Sequence, residues 1–224
     1  MTWSFGDYLD NAAEGLSTPG AWHVDRTSGV LRYRPLPGEE LQDVIVPEVR
    51  QLVRLEGDGD RGEFVEHIVF RGLTFRYTAW ELPEAGYHYP QAELPVCAAL
   101  QATGARRCVF DGCEVYLGAP AVWVGQSGGN RIRHNEITWQ FMWAVSLGWN
   151  WSYFPLHRSR DNLVEKNHVH NLGTGVLGTH GALYCLGVSP GTVLRNNYIH
   201  HVHAAEAWGA GEGTSAPGSG RGGL

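Results

Sequence analysis

The sequence predicts an all-β protein: a right-handed parallel β-helix with an N-terminal β-hairpin cap region. Three observations carry this reading. First, one pattern is stated twice, because 163–170 (LVEKNHVH) is echoed by 193–200 (VLRNNYIH), with Asn167 and Asn197 in the same slot. Second, earlier segments share the shape, so the matching slots are Leu73, Cys113, Asn135, Asn167 and Asn197, separated by 40, 22, 32 and 30 residues. Fixed-slot self-similarity at such spacings is the signature of a stack of coils, none of which can bury its apolar face alone. Third, glycine supplies 30 of 224 residues while 43% are hydrophobic and 18% charged, which describes a folded, turn-dense chain.

Taken in order, residues 1–20 form a polar lead-in where Asp7–Glu14 reads as one or two helical turns. Ala21–Asp25 and Val30–Pro35 both alternate, and Arg26-Thr27-Ser28-Gly29 between them supplies a turn, so they read as a hairpin ended by Pro35, Pro37 and Gly38. Val44–Pro47 and Gln51–Glu56 read as two further strands. Gly57–Gly62 opens like a calcium loop, with Asp58 and Asp60, but no Glu follows at the needed distance, and it reads as a plain loop.

Residues 1–62 are thus expected to form the cap region and 63–203 the β-helix. Ile68–Phe75, Val109–Val115 and Arg131–Ile137 are read as alternating strands, followed by the two copies quoted above. Cys97–Gln101, Ala121–Val124, Ala144–Leu147 and Ala182–Leu186 supply a second short strand in each coil. Asparagine suits the repeated slot because its amide can hydrogen-bond along the stack and tolerates a left-handed turn. Residues 78–95 and 148–160 are loop insertions rich in aromatic side chains, where binding residues gather. Residues 204–224, dominated by Gly, Ala, Ser and Pro, are expected to be a disordered tail. An antiparallel sandwich is the rival architecture, but repeats of this length do not call for tight hairpins.

The net charge of −6 and the lack of a basic run argue against nucleic acid or an anionic membrane as partner. No apolar stretch reaches the 18 or so residues of a membrane span. The first residues lack the basic and apolar regions of a signal peptide, which leaves localisation open. Cys97, Cys108, Cys113 and Cys185 show neither a CxxC pair nor zinc spacing, and are expected to be free thiols.

The segments 22–39, 68–75, 167–173 and 181–192 resemble the right-handed β-helix proteins related to glycoside hydrolase family 141, from about Trp22 to His203. The resemblance implies a polysaccharide or oligosaccharide partner and a glycosidase-type activity without cofactor. It also implies a Leu-Ser-Asp before the Gly181-Ala182-Leu183-Tyr184 strand, where Leu177-Gly178-Thr179-His180 stands instead. A second acidic motif is implied beyond a Trp-Gly, but Trp208-Gly209 leads into the tail. The chain is therefore expected to be truncated or frame-shifted near residue 204, inactive, and open to self-association through an uncapped last coil.

Glycoside hydrolysis uses two carboxylates flanking the scissile bond. Glu136, Asp161, Glu165 and Glu206 are available, and no two form a compelling pair. Histidines crowd 168–203 more densely, and His170 and His200 share a slot in adjacent coils, close enough to hold a ligand, a water or a metal. No metal site is assigned, since the spacing secures no third ligand. The candidate catalytic residues are Glu206, His170 and His180. The candidate sugar-binding residues are Tyr87, Trp149, Tyr184, His200 and His203, with the Tyr87 and Trp149 loops expected on one side of a cleft. A non-catalytic carbohydrate-binding β-helix and a purely structural solenoid are the alternative functions.

Overall fold

The structure, a computed structural model, describes residues 11–41, 43–79, 97–118, 120–149, 158–173 and 181–203. It divides into two compact units, Met1–Val46 and Pro47–Leu224. In the first, a short 3-10 turn at Ala13–Ser17 precedes the expected hairpin of β1 (Trp22–Asp25) and β2 (Val30–Tyr33), which pair antiparallel. The Asp25 carboxylate closes the turn by accepting from the Thr27 N–H at 2.9 Å and the Ser28 hydroxyl at 2.7 Å. The strand expected at Val44–Pro47 does not form, and Val44, Ile45 and Val46 stay exposed. A β-branched run has the local propensity for a strand, but without a neighbouring edge its backbone groups gain nothing over water.

Among its described residues, the second unit is a parallel β-helix of five coils with three strands each. Sheet one holds β3 (Val53–Glu56), β7 (Leu100–Thr103), β11 (Val122–Gly125), β14 (Val145–Gly148) and β17 (Leu183–Cys185). Sheet two holds β5 (Val69–Arg71), β9 (Val109–Asp111), β12 (Arg131–Arg133), β15 (Leu163–Glu165) and β18 (Val193–Arg195). Sheet three holds β6 (Thr74–Arg76), β10 (Glu114–Gly118), β13 (Glu136–Gln140), β16 (His168–Leu172) and β19 (Tyr198–Val202). Every pair within these sheets is parallel, including Leu163 opposite Val193 and His170 opposite His200. A small parallel pair, β4 (Val65–Glu66) and β8 (Ala105–Arg106), sits at the corner between sheets one and two.

The alternating runs read as single strands are each two strands. Ile68–Phe75 splits into β5 and β6, and the later runs split likewise. The residue before each slot is left-handed: Gly72, Gly112, His134, Lys166 and Asn196 have φ between 54° and 63°. One such residue turns the chain through a corner without a loop, and the in/out alternation resumes on the far side. The left-handed position is thus taken by the residue preceding the asparagine rather than by the asparagine itself.

The asparagines stack as expected. Asn167 Oδ1 accepts from the Asn135 backbone N–H at 3.0 Å and from Asn135 Nδ2 at 2.9 Å, and Asn197 Oδ1 does the same for Asn167 at 3.1 and 2.9 Å. A second ladder runs along the other edge of sheet two. There Asn162 Oδ1 accepts from the backbone N–H and Nδ2 of Asn130, both at 3.1 Å, and Asn130 Oδ1 accepts from the Cys108 N–H at 3.0 Å. The two ladders bracket a three-residue strand, which is why sheet two is so narrow.

Inside, side chains of all three sheets fill the bore: Phe110, Ile132 and Val164 from sheet two, Ile137 and Val169 from sheet three, and two per strand from sheet one, Val122 and Val124, then Val145 and Leu147. In the last described coil the equivalents Leu194 and Ile199 are 37% and 38% exposed, against 0% for Val164 and Val169. Cys108 and Cys113 are buried in ladder slots and, with Cys97 and Cys185, carry free thiols.

Sheet two turns a line of ion pairs outward. Arg195 donates to Glu165 at 2.8 Å, and Asp111 meets Arg71, Arg133 and His134 at 3.2, 3.2 and 3.0 Å. The hydrogen bond from Arg195 holds the Glu165 carboxyl below its ordinary 4.5. The unfolded chain therefore takes up the proton first, so the stabilisation is full above that value and fades as pH falls through the folded-state pKa. Glu165→Gln is expected to flatten the acid limb of the stability curve between about pH 5 and 3. Urea midpoints across that range check this, and an unchanged slope would contradict it.

Candidate functional site

Alternation leaves two outward faces with chemistry. On sheet one, Arg54, Gln101, Trp123, Ser146 and Tyr184 stand in register along the axis, one per coil. Strand spacing places successive side chains about 4.8 Å apart. Trp123 lies down over Gly125, where a Cβ would fall 2.1 Å from the indole. Ser146 is small enough to leave a gap, and Trp149 fills it, donating its Nε1–H to Ser146 Oγ at 2.7 Å. Trp149 stacks against Trp123 at 5.8 Å and Tyr184 at 5.7 Å, with interplanar angles of 29° and 27°. Trp143 backs Tyr184 at 4.9 Å. Trp143 and Trp149 are buried, while Trp123 and Tyr184 keep part of their rings open to solvent. The arrangement is a staggered aromatic shelf on a flat sheet.

On sheet three, two outward columns run Glu136, His168, Tyr198 and Thr138, His170, His200. Trp139, Asn171 and His201 follow in left-handed conformation, with φ of 55°, 54° and 52°, which locally widens the strands and swings His201 beside His200. His168 Nε2 lies 2.8 Å from His200 Nε2, and His200 Nδ1 also faces His201 Nδ1. The His170 and His200 rings stack at 5.0 Å and 11°. His170 Nδ1 meets Thr138 Oγ1 at 3.2 Å and its Nε2 meets Glu136 Oε1 at 3.1 Å. Desolvation, followed by the nearby His201, His170 and His168, holds His200 below its ordinary imidazole value of 6.5.

Of the residues singled out from the sequence, Trp149 and Tyr184 meet on sheet one, and His170 and His200 meet on sheet three. The two groups occupy different sheets. His203 follows β19, with its ring 6.1 Å from His201. Tyr87, His180 and Glu206 lie outside the described residues. The carboxylates offered for hydrolysis are dispersed: Glu136 is on sheet three beside His170, Glu165 is on sheet two with Arg195, and Asp161 sits at a left-handed corner. Two residues are absent from the candidates drawn from the sequence. His168 stands there only as one of the crowded histidines, and Trp123 only as part of a second short strand.

No family model and no curated protein matches this chain. A solved structure named "Glycoside hydrolase" superposes with a TM-score of 0.56 at 20% identity, covering 88% of this chain and 51% of that one. At that identity the likeness shows the fold, and the chain spans about half the length of the protein it matches.

Proposed function

We propose that this chain is a carbohydrate-active β-helix protein that binds a polysaccharide along the outer face of sheet one. The aromatic shelf of Trp123, Trp149 and Tyr184 supports this reading most strongly. Sugar rings present an apolar face of C–H groups that stacks on aromatic planes, while their hydroxyls need polar partners at the rim. Gln101 and Arg54 continue the shelf in register and supply such partners. The repeat along the axis is comparable to the length of one sugar unit, so a chain laid along the stack meets an equivalent position at each coil. The fold shared with a glycoside hydrolase favours this class of ligand.

Binding without turnover is the preferred form of the proposal. Glu136, Asp161 and Glu165 do not converge on the shelf, and the Leu-Ser-Asp that the family resemblance implies is replaced by Leu177-Gly178-Thr179-His180. The chain is accordingly read as a fragment of a polysaccharide-degrading scaffold.

Titration against a panel of plant-type polysaccharides tests both parts. Trp123→Ala and Tyr184→Ala are each expected to weaken the best-bound glycan about tenfold, near 1.4 kcal/mol. Reducing sugar is not expected to accumulate. Unchanged affinity in both variants would remove the shelf from the account, and sustained sugar release would overturn the non-catalytic half.

A further inference from the structure

We propose that His168, His170 and His200 form a binding site for a single divalent transition-metal ion of the zinc class on the outer face of sheet three. One ligand atom from each imidazole lies within 4.8 Å of the other two. The geometry follows from the register. His168 and His170 are two apart on β16 and point the same way, and His200 on β19 is the cross-strand neighbour of His170. Two donors of one strand and one of the next therefore converge from a rigid ladder rather than from loops. Donors bound at about 2.1 Å to one ion stand roughly 3.0–3.5 Å apart, so small side-chain rotations close the set.

The contacts between nitrogens also favour an ion. Two ring nitrogens at 2.8 Å, His168 Nε2 and His200 Nε2, bring lone pairs together unless a proton or a cation lies between them. A divalent ion would satisfy His168, His200 and His170 at once. Imidazole donors suit zinc, nickel and copper over calcium or magnesium. A second layer is present as well: Thr138 Oγ1 contacts His170 Nδ1 at 3.2 Å, which fixes the ring and leaves Nε2 as the donor. Glu136, whose Oε1 is 3.1 Å from His170 Nε2, stands beside the set and is placed to accept a proton from a bound water. Three protein nitrogens with a carboxylate alongside leave room for an exchangeable ligand, the arrangement of an accessible rather than a closed site.

The site is independent of sugar binding on sheet one, and zinc alone is the probe. The full chain, stripped with a chelator and titrated calorimetrically with zinc chloride, is expected to bind one equivalent. His168→Ala and His200→Ala are each expected to weaken zinc by more than about a hundredfold, and Thr138→Val, which removes only the supporting hydroxyl, by roughly tenfold. His67→Asn, at the left-handed corner between β4 and β5 and beside Arg107, is expected to bind like wild type. Wild-type protein that takes up no zinc, or zinc binding retained when His168 and His200 are both replaced, would overturn the proposal. Unchanged glycan affinity in Trp123→Ala and Tyr184→Ala, with zinc binding intact, would count against the sheet-one reading only.

Discussion

Asn167→Ala is expected to cost about 4 kcal/mol of unfolding free energy, one of the two largest losses anticipated for a single substitution. The side chain is 1% exposed and makes a complete set of bonds. Its Oδ1 serves two donors of Asn135, while its Nδ2 reaches the Ile132 carbonyl at 3.0 Å and Asn197 Oδ1 at 2.9 Å. Alanine strands the two donors of Asn135 and removes a donor from the Ile132 carbonyl, both on the coil before, and leaves Asn197 Oδ1 on the coil after with the Asn167 backbone N–H alone. Each buried orphan costs about 1–3 kcal/mol, and the bore beside them is apolar, so water has no easy route in. Urea denaturation gives the number. A loss below about 1 kcal/mol would mean that the ladder is decoration on a stack held by its core.

Gly148→Ala is expected to cost about 3 kcal/mol and to loosen the fifth coil first. Gly148 has φ near +100°, and a Cβ there would fall 2.0 Å from the Leu186 carbonyl oxygen. That oxygen belongs to backbone, which cannot rotate away. The segment after β17 would have to move, together with the 3.0 Å hydrogen bond from the Leu186 N–H to the Leu147 carbonyl. Gly181→Ala is the control, since its Cβ would meet nothing nearer than 3.9 Å. Hydrogen exchange resolved along the chain would show the loss at 183–186 before it reaches β11. Uniform weakening of all coils would contradict the local account.

The coil repeat was legible because its marker is chemical. Asn135, Asn167 and Asn197 carry the amide that the ladder needs, and three copies in one slot are hard to reach by chance. The second ladder was not, because its slots hold Ile68, Cys108, Asn130, Asn162 and Thr192, and only two show the amide. The third sheet was also hidden. A left-handed corner is obvious when Gly72 or Gly112 supplies it, but His134 and Lys166 take the same φ under tertiary constraint, and alternation passes through unchanged. Val44–Val46 shows the opposite failure, where β propensity without a partner edge gives no strand.

The site was half legible for the same reason. Slot arithmetic paired His170 with His200, since cross-strand neighbours inherit the repeat. It did not add His168, whose approach to His200 depends on side-chain direction rather than on sequence offset. Trp149 is picked from an aromatic loop and Tyr184 from within a strand. Their stacking, and the part played by Trp123, depends on the missing side chain at Gly125 and the small one at Ser146. Both are visible only once the coils are in register.

The location of a bound glycan is the central claim, and amide hydrogen exchange with and without a saturating polysaccharide tests it most directly. Added protection is expected at 122–125, 145–148 and 183–185 on sheet one, with no change at 131–133 and 163–165 on sheet two. Protection confined to sheet two, or none on any sheet at saturation, would contradict the account.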